Sequence, residues 1–98
     1  MANEGYHEPY EHLSDETRDM HRAILSLMEE LEAVDWYQQR ADACTDPELR
    51  EILKHNRDEE KEHAVMVLEW IRRKDPLFSK ELKERLFTDG PIAHGHGG

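Results

Sequence analysis

An uninterrupted apolar seam in the first half of the chain most constrains its fold. There is no proline or glycine between Ser14 and Asp46. In this stretch apolar side chains recur at alternating spacings of four and three, at Met20, Ile24, Leu27, Leu31 and Val34. Such a heptad-like repeat lies along one side of an α-helix. Because Ser14 can cap a helix and acidic residues follow it, the sequence predicts a first helix over about residues 14–43.

Two further helices follow from the proline and charge pattern. Thr45 or Asp46 can cap a second helix, which begins at Pro47 and ends at a cationic run near residue 73. A short amphipathic third helix is predicted from Pro76 to Leu86. The short connection between the two long helices predicts an antiparallel hairpin.

The predicted fold is therefore all-α and has four segments. A flexible, irregular arm covers residues 1–13, and the helical hairpin covers 14–74. The short C-terminal helix covers 75–88, and a flexible tail covers 89–98. The tail carries His94 and His96, which could bind a metal loosely, but a Gly-rich tail of this kind is typical of disorder.

Composition excludes several classes of function. The 98 residues suffice for one domain, and the net charge of -10 argues against nucleic acid or an anionic membrane as partner. No apolar run approaches the roughly 18 residues of a membrane span, and the N-terminal residues do not resemble a signal peptide. The single Cys44 excludes an intrachain disulfide framework and fits a reducing, cytosolic setting.

The second helix carries ionisable residues in the middle of its apolar stripe. The apolar positions of this stripe are Leu49, Ile52, Leu53, Val67 and Trp70. Asn56, Glu60 and His63 fall on the same side of the helix, and Glu60 and His63 are three residues apart. A carboxylate on a core-facing stripe is costly unless it is paired, and a metal ion bound by Glu and His would pair it. Glu-x-x-His also occurs on solvated helix faces, so spacing alone leaves both interpretations open.

Glu30 is the candidate third ligand, on the first helix. Taking Leu27 as the centre of the seam, helical periodicity places Glu30 about 60° to one side, with Tyr37 close to it two turns later. Glu30 can therefore flank the core, although a solvated charge fits the pattern equally well. Tyr37 could hydrogen-bond to a ligand, or it could simply pack.

Other acidic residues are predicted to point outward. Glu29, Glu32 and Trp36 lie together near the opposite face of the first helix, where the two carboxylates could attract divalent cations or form only a solvated surface. The exposed Trp36 suggests that this face meets another subunit. A second line of residues, on the second helix, could bind calcium or another divalent cation weakly: His55, Glu59 and Glu62.

The number of ligands predicts a shared site. One chain offers Glu30, Glu60 and His63, whereas two chains related by a two-fold axis offer four Glu and two His. This is the ligand set of di-iron carboxylate proteins, in which two helices each supply a Glu and two others each supply Glu-x-x-His. The chain is thus predicted to form a homodimer whose four long helices make a ferritin-like bundle.

Three segments resemble the encapsulated ferritins, half-length ferritin-like proteins housed in encapsulin nanocompartments. The segments are Met28–Tyr37, Asn56–His63 and Leu68–Arg73, and the resemblance covers about residues 7–92. It implies an annular decamer of five dimers in which Glu30, Glu60 and His63 bind two irons at a dimer interface. It further implies that Tyr37 and Trp36 lie near that centre, and that metal enters past Glu29 and Glu32.

The resemblance also implies an activity and a partner. Encapsulated ferritins oxidise Fe(II) with dioxygen and rely on the encapsulin shell to store the mineral, so the expected location is cytoplasmic, inside that shell. Family members usually carry a C-terminal shell-docking peptide, which the residues up to Gly98 do not include. The alternative function is a non-catalytic helical assembly module that binds zinc or manganese, although the absence of Cys ligands disfavours structural zinc.

Overall fold

The computed structural model describes residues 5–93, and within that range all regular structure is helical. A 3₁₀ turn at Tyr10–His12 precedes three α-helices: α1 spans Asp15–Ala43, α2 spans Pro47–Lys74 and α3 spans Pro76–Arg85. The all-α prediction is confirmed, and the helix ends lie within one residue of the predicted ones. No helix in residues 5–93 is long and apolar enough to cross a membrane. His94 and His96 of the predicted flexible tail lie outside the described residues.

Side-chain caps define where the helices begin. The Ser14 hydroxyl accepts a hydrogen bond from the backbone N–H of Thr17 at 3.1 Å, which caps α1 as predicted. Of the two candidates for the second cap, Asp46 is the one used: its carboxylate accepts from the N–H of Leu49 at 2.7 Å. Pro47 occupies the first turn of α2, where its missing N–H costs nothing.

The N-terminal arm is more regular than predicted. The Arg18 guanidinium donates to the Tyr10 carbonyl at 2.7 Å and lies over the Tyr10 ring at 3.8 Å. The Tyr6 ring lies 4.3 Å from the His21 ring. Within the arm that was predicted to be irregular, these contacts to α1 hold Tyr10–His12 in a 3₁₀ turn.

The two long helices form the predicted antiparallel hairpin. Gln38, late in α1, accepts a hydrogen bond of 2.7 Å from Arg57, early in α2. Ser26 and Val67, one from each helix, line the same groove farther along the hairpin. The described chain measures 49 × 43 × 19 Å. One helix with its side chains is about 10–12 Å across, so two helices packed side by side make a slab one helix thick with two broad faces.

Very little of this slab is buried within one chain. Only the small Ala41 and Ala64 and the larger Ile71 are buried in the part of the chain that the structure describes. Ile24 and Leu31 of the predicted seam are 43% and 55% exposed, so the seam does not turn wholly toward α2. Two helices share only one contact surface, and apolar residues outside it remain uncovered.

The uncovered apolar residues lie on both faces of the slab. Helical periodicity and the residues that line the surface grooves show on which face each apolar residue lies. The front face carries Ile52, Met66 and Trp70. The back face carries Ile24, Met28, Leu31 and Val65. Both broad faces of the slab therefore expose large apolar side chains.

Candidate metal centre

The three residues predicted as metal ligands meet halfway along the hairpin. Glu30 comes from the middle of α1, and Glu60 and His63 come from successive turns of α2. One ligand atom from each lies within 4.8 Å of the others. Within residues 5–93, this is the one group of three or more His, Cys, Asp or Glu side chains close enough to hold an ion together. The antiparallel register of the hairpin creates the group, because it sets the centre of α1 against the centre of α2.

The two carboxylates of this group have no cationic side chain beside them. One oxygen of Glu30, Oε2, is buried and has no hydrogen-bond partner in the described structure. Glu60 is one-quarter exposed, and the imidazole Nδ1 of His63 lies 3.6 Å from its Oε2. Neither glutamate forms an ion pair with Lys or Arg among the described residues. Two half-buried carboxylates placed together repel each other, and a bound cation would offset that repulsion.

The donor atoms fit a first-row transition metal. Two carboxylates and one imidazole suit iron, manganese or zinc, and the absence of thiolates argues against a closed structural zinc site. Three donors leave coordination positions open on any of these ions. His63 is 43% exposed, so the group opens to the surface instead of being enclosed by the hairpin.

The group opens onto the front face of the slab. His63 is eleven residues from Ile52 and seven from Trp70, spacings that place all three on nearly the same side of α2. The ligand group thus lies between two exposed apolar residues on the same side of α2. A second chain packed on this face would cover the apolar residues and could bring its own ligands to the group.

Comparison with known proteins identifies the family. The EncFtn-like family model matches residues 5–89. The chain belongs to the EncFtn-like family. This confirms the resemblance seen in the sequence, and the match includes every residue of the ligand group.

Two relatives of this EncFtn-like chain have names that refer to encapsulation or to an encapsulin nanocompartment. It is 66% identical over 92 residues to the encapsulated ferritin-like protein of Rhodospirillum rubrum. The matched region is 94% of this chain and 66% of that relative. It is 38% identical over 71 residues to the encapsulin nanocompartment cargo protein EncC of Myxococcus xanthus. The matched region is 67% of this chain and 55% of EncC. The chain therefore spans about two thirds of the first relative and about half of the second.

A solved structure supports the fold directly. The crystal structure of a Nitrosomonas europaea protein superposes with a TM-score of 0.89 at 73% sequence identity. The match covers 92% of this chain and 99% of that one. At this identity the two hairpins and their third helices share one fold.

The other predicted site residues are not part of the ligand group. Tyr37 is half-buried, and the Arg40 guanidinium lies 5.3 Å from the centre of its ring. No hydrogen bond links Tyr37 to the three ligands in the described structure. Glu29, Glu32 and Trp36 are exposed, as their outward phase predicts, and so are His55, Glu59 and Glu62. Neither of these outward sets forms a metal-sized group within residues 5–93.

Sequence reasoning missed one charged cluster, at the junction of α2 and α3. The Glu69 carboxylate accepts hydrogen bonds of 2.7 Å from Nε and Nη2 of Arg72 and from Nε of Arg73. These hydrogen bonds, first those from Arg72, lower the pKa of Glu69 from its usual 4.5 to about 2. The signal was present as an acidic residue followed at spacings of three and four by arginines, a common pattern on helix surfaces.

Proposed function

We propose that this chain is a ferroxidase subunit that oxidises Fe(II) to Fe(III) with dioxygen at a di-iron centre shared between two copies. The observation that carries the proposal is the group of Glu30, Glu60 and His63, whose ligand atoms lie within 4.8 Å of one another. Family membership supports iron as the metal, because a relative is named an encapsulated ferritin-like protein.

The chemistry follows from the donor set of the dimer. Two copies supply four carboxylates and two imidazoles, enough to hold two Fe(II) ions as substrate about 3.5–4 Å apart. Carboxylates favour Fe(III) over Fe(II), because their negative charge stabilises the more highly charged ion. Oxidation of the pair releases two electrons, which pass together to one dioxygen molecule. Glu60 would bridge the pair, while Glu30 and His63 would complete the coordination of each ion.

The front face supports the shared arrangement. A single chain leaves His63 nearly half exposed and Glu30 Oε2 without a partner, so the site in one chain is incomplete. Two-fold packing of front faces would bury Ile52, Met66 and Trp70 around the metal. At about 25 cal/mol per Å² of apolar surface, this burial would supply association energy as well as water exclusion.

A larger ring is the corresponding proposal for the back face. Its apolar residues lie on the side of the slab away from the metal group, so front-face dimers still carry uncovered apolar surface. Alternating two-fold contacts on two faces can close into a ring, such as a decamer of five dimers. The names of the Rhodospirillum and Myxococcus relatives support residence in an encapsulin shell, and hence a location inside that compartment in the cytoplasm.

The direct test is anaerobic loading followed by oxygen. The protein is titrated with Fe(II) without air, and bound iron is counted for each size-exclusion fraction. Air is then admitted, and Fe(III) formation and oxygen consumption are followed. The proposal expects one iron per chain at saturation and rapid oxidation only in fractions containing dimers or larger species. Bound metal without accelerated oxidation would instead identify the non-catalytic assembly module.

A second test concerns storage. The hairpin and short third helix offer no second layer to close a cavity, so the isolated protein should oxidise iron without keeping the product soluble. With many Fe(II) per chain in air, visible ferric precipitate is expected. Soluble mineral cores formed by this chain alone would contradict the dependence on a shell and leave the ferroxidase proposal standing.

A further inference from the structure

The junction between α2 and α3 consists of a single residue. The backbone N–H of Asp75 donates to the Ile71 carbonyl at 3.0 Å and ends α2. The carboxylate of Asp75 accepts from the Phe78 N–H at 2.9 Å and caps α3. These bonds end one helix and begin the next, but they do not fix the angle between them. Pro76 restricts Asp75 to extended conformations, but changes of its dihedrals within that region still alter the direction of α3.

One guanidinium bridges this junction. Nε and Nη2 of Arg72 each donate at 2.7 Å to a different oxygen of Glu69, and Nη1 donates to the Ser79 hydroxyl on α3 at 3.1 Å. The paired bonds to Glu69 fix the plane of the guanidinium, so its third nitrogen points in one direction. Ser79 lies where that nitrogen points. Because the pKa of Glu69 is lowered to about 2 by its arginine hydrogen bonds, the carboxylate stays charged in neutral solution.

Helix α3 needs such an attachment. It has ten residues, and isolated helices shorter than about 12–15 residues are marginal in water. Leu82 of α3 and Leu86, which follows the helix, line a surface groove of about 470 Å³ with Val65 and Leu68 of α2, so side chains do not fill the space between the two helices. An unfilled groove constrains the angle of α3 less than close packing would, so a polar contact across the junction adds to what holds that angle.

We propose that Glu69 and Arg72 form a lock, with Ser79 as its contact on α3, that holds α3 at a fixed angle to α2. Bidentate pairing and a network of several charges distinguish this cluster from the isolated surface ion pairs that contribute little. Glu69 is nine residues from Glu60, which places the lock on the opposite side of α2 from the metal group. The lock is therefore independent of iron chemistry.

Amide hydrogen exchange of the full chain, resolved by mass spectrometry, tests the lock. Two variants break it: Ser79→Ala removes only the acceptor on α3, and Arg72→Lys replaces the planar fork by a point charge. Two matched controls leave it intact. Arg73→Lys weakens a bond to the same carboxylate without touching α3, and Asp58→Asn removes another arginine-paired carboxylate of α2.

The lock variants should exchange about fivefold faster across residues 76–85, with the hairpin unchanged, whereas both controls should keep the wild-type rate there. All proteins are compared at a concentration at which they elute identically. Unchanged α3 exchange in Ser79→Ala would overturn the proposal, and so would an equal increase in the controls. If Arg72→Lys does not fold, Ser79→Ala decides the outcome alone.

Discussion

Glu60 and Glu69 lie on one helix, nine residues apart, in opposite electrostatic surroundings. Glu69 accepts three short hydrogen bonds from two arginines. Glu60 faces a second carboxylate and a histidine, and no arginine or lysine pairs with it in the part of the chain that the structure describes. The first carboxylate is satisfied by the protein itself, whereas the second is satisfied only if something else supplies positive charge.

This difference distinguishes a structural carboxylate from a candidate metal ligand in a chain that is rich in acidic residues. With 23 acidic residues, the presence of a carboxylate says little about function. What distinguishes the metal group is the combination of burial, mutual proximity and missing counter-charge. The cluster at the junction with α3 also holds charged side chains close together, but there Arg72 and Arg73 supply the charge opposite to that of Glu69.

Removing a ligand should have the largest effect. His63→Ala deletes two ligands per proposed dimer and should weaken iron binding by more than the roughly 10- to 100-fold typical of an outer-shell residue. Oxidation should fall to nearly the uncatalysed rate while helicity is retained. Glu69→Gln is the matched control and should keep oxidation within about twofold. Near-normal iron occupancy in His63→Ala would refute the ligand assignment.

Disrupting the front face should abolish most activity without touching a ligand. Ile52→Glu introduces charge beside the proposed dimer contact and should shift the protein to monomers that oxidise iron slowly. Val65→Glu makes the same change on the back face and should spare the active dimer while reducing larger assemblies. Size-exclusion chromatography with light scattering, run beside the oxidation assay, measures both. Full activity in a monomeric Ile52→Glu protein would rule out a shared site.

Acid should release α3 before it unfolds the hairpin. Because the folded-state pKa of Glu69 is lowered to about 2, its contribution to stability is complete above its unfolded pKa near 4.5 and is lost as the pH falls toward 2. Nuclear magnetic resonance signals of residues 76–85 should therefore change over this window. Glu69→Gln should remove the pH dependence at those residues. A transition of α3 that is unaffected by Glu69→Gln would assign the acid response to other groups.

The iron-free protein should gain stability when an unpaired ligand carboxylate is neutralised. Glu60→Gln removes repulsion with Glu30 and should raise the unfolding free energy of the apoprotein by about 1 kcal/mol. For a domain of this size, that corresponds to a rise of about 4–8 °C in Tm. Calorimetry in the presence of a chelator measures the change. A lower Tm would mean that the Glu60 carboxylate already has a stabilising partner.

The outward acidic pair should have the smallest effect. In a protein with both Glu29→Ala and Glu32→Ala, iron at the proposed centre should be retained, because both side chains point away from the ligand group. The initial oxidation rate should change by less than about tenfold, because the negative charge of the two side chains would attract cations to the surface without coordinating the iron that is oxidised. Loss of the centre itself would show that these residues are ligands.

Periodicity, caps and spacing were sufficient to predict most of the hairpin and the composition of the candidate site. Ser14 and Pro47 mark helix starts through local chemistry that does not depend on the rest of the fold. Glu60 and His63 could be chosen because they interrupt an apolar stripe, and Glu30 because of its angle to Leu27. These inferences need only helical geometry, which a sequence specifies locally.

Only the tertiary structure decided which side chains of another helix these charged residues meet. Glu69 and Glu60 look alike in sequence, since each has a basic or ionisable residue three positions later. Glu69 is paired within its own helix by Arg72 and Arg73, but the packing of α3 brings Ser79 to Arg72. The register of α1 against α2 brings Glu30 to Glu60. Tyr6 and His21 likewise meet through contacts between segments far apart in the chain. Helical periodicity fixes the direction of a side chain around its own axis, but its neighbours on another element depend on how the elements pack.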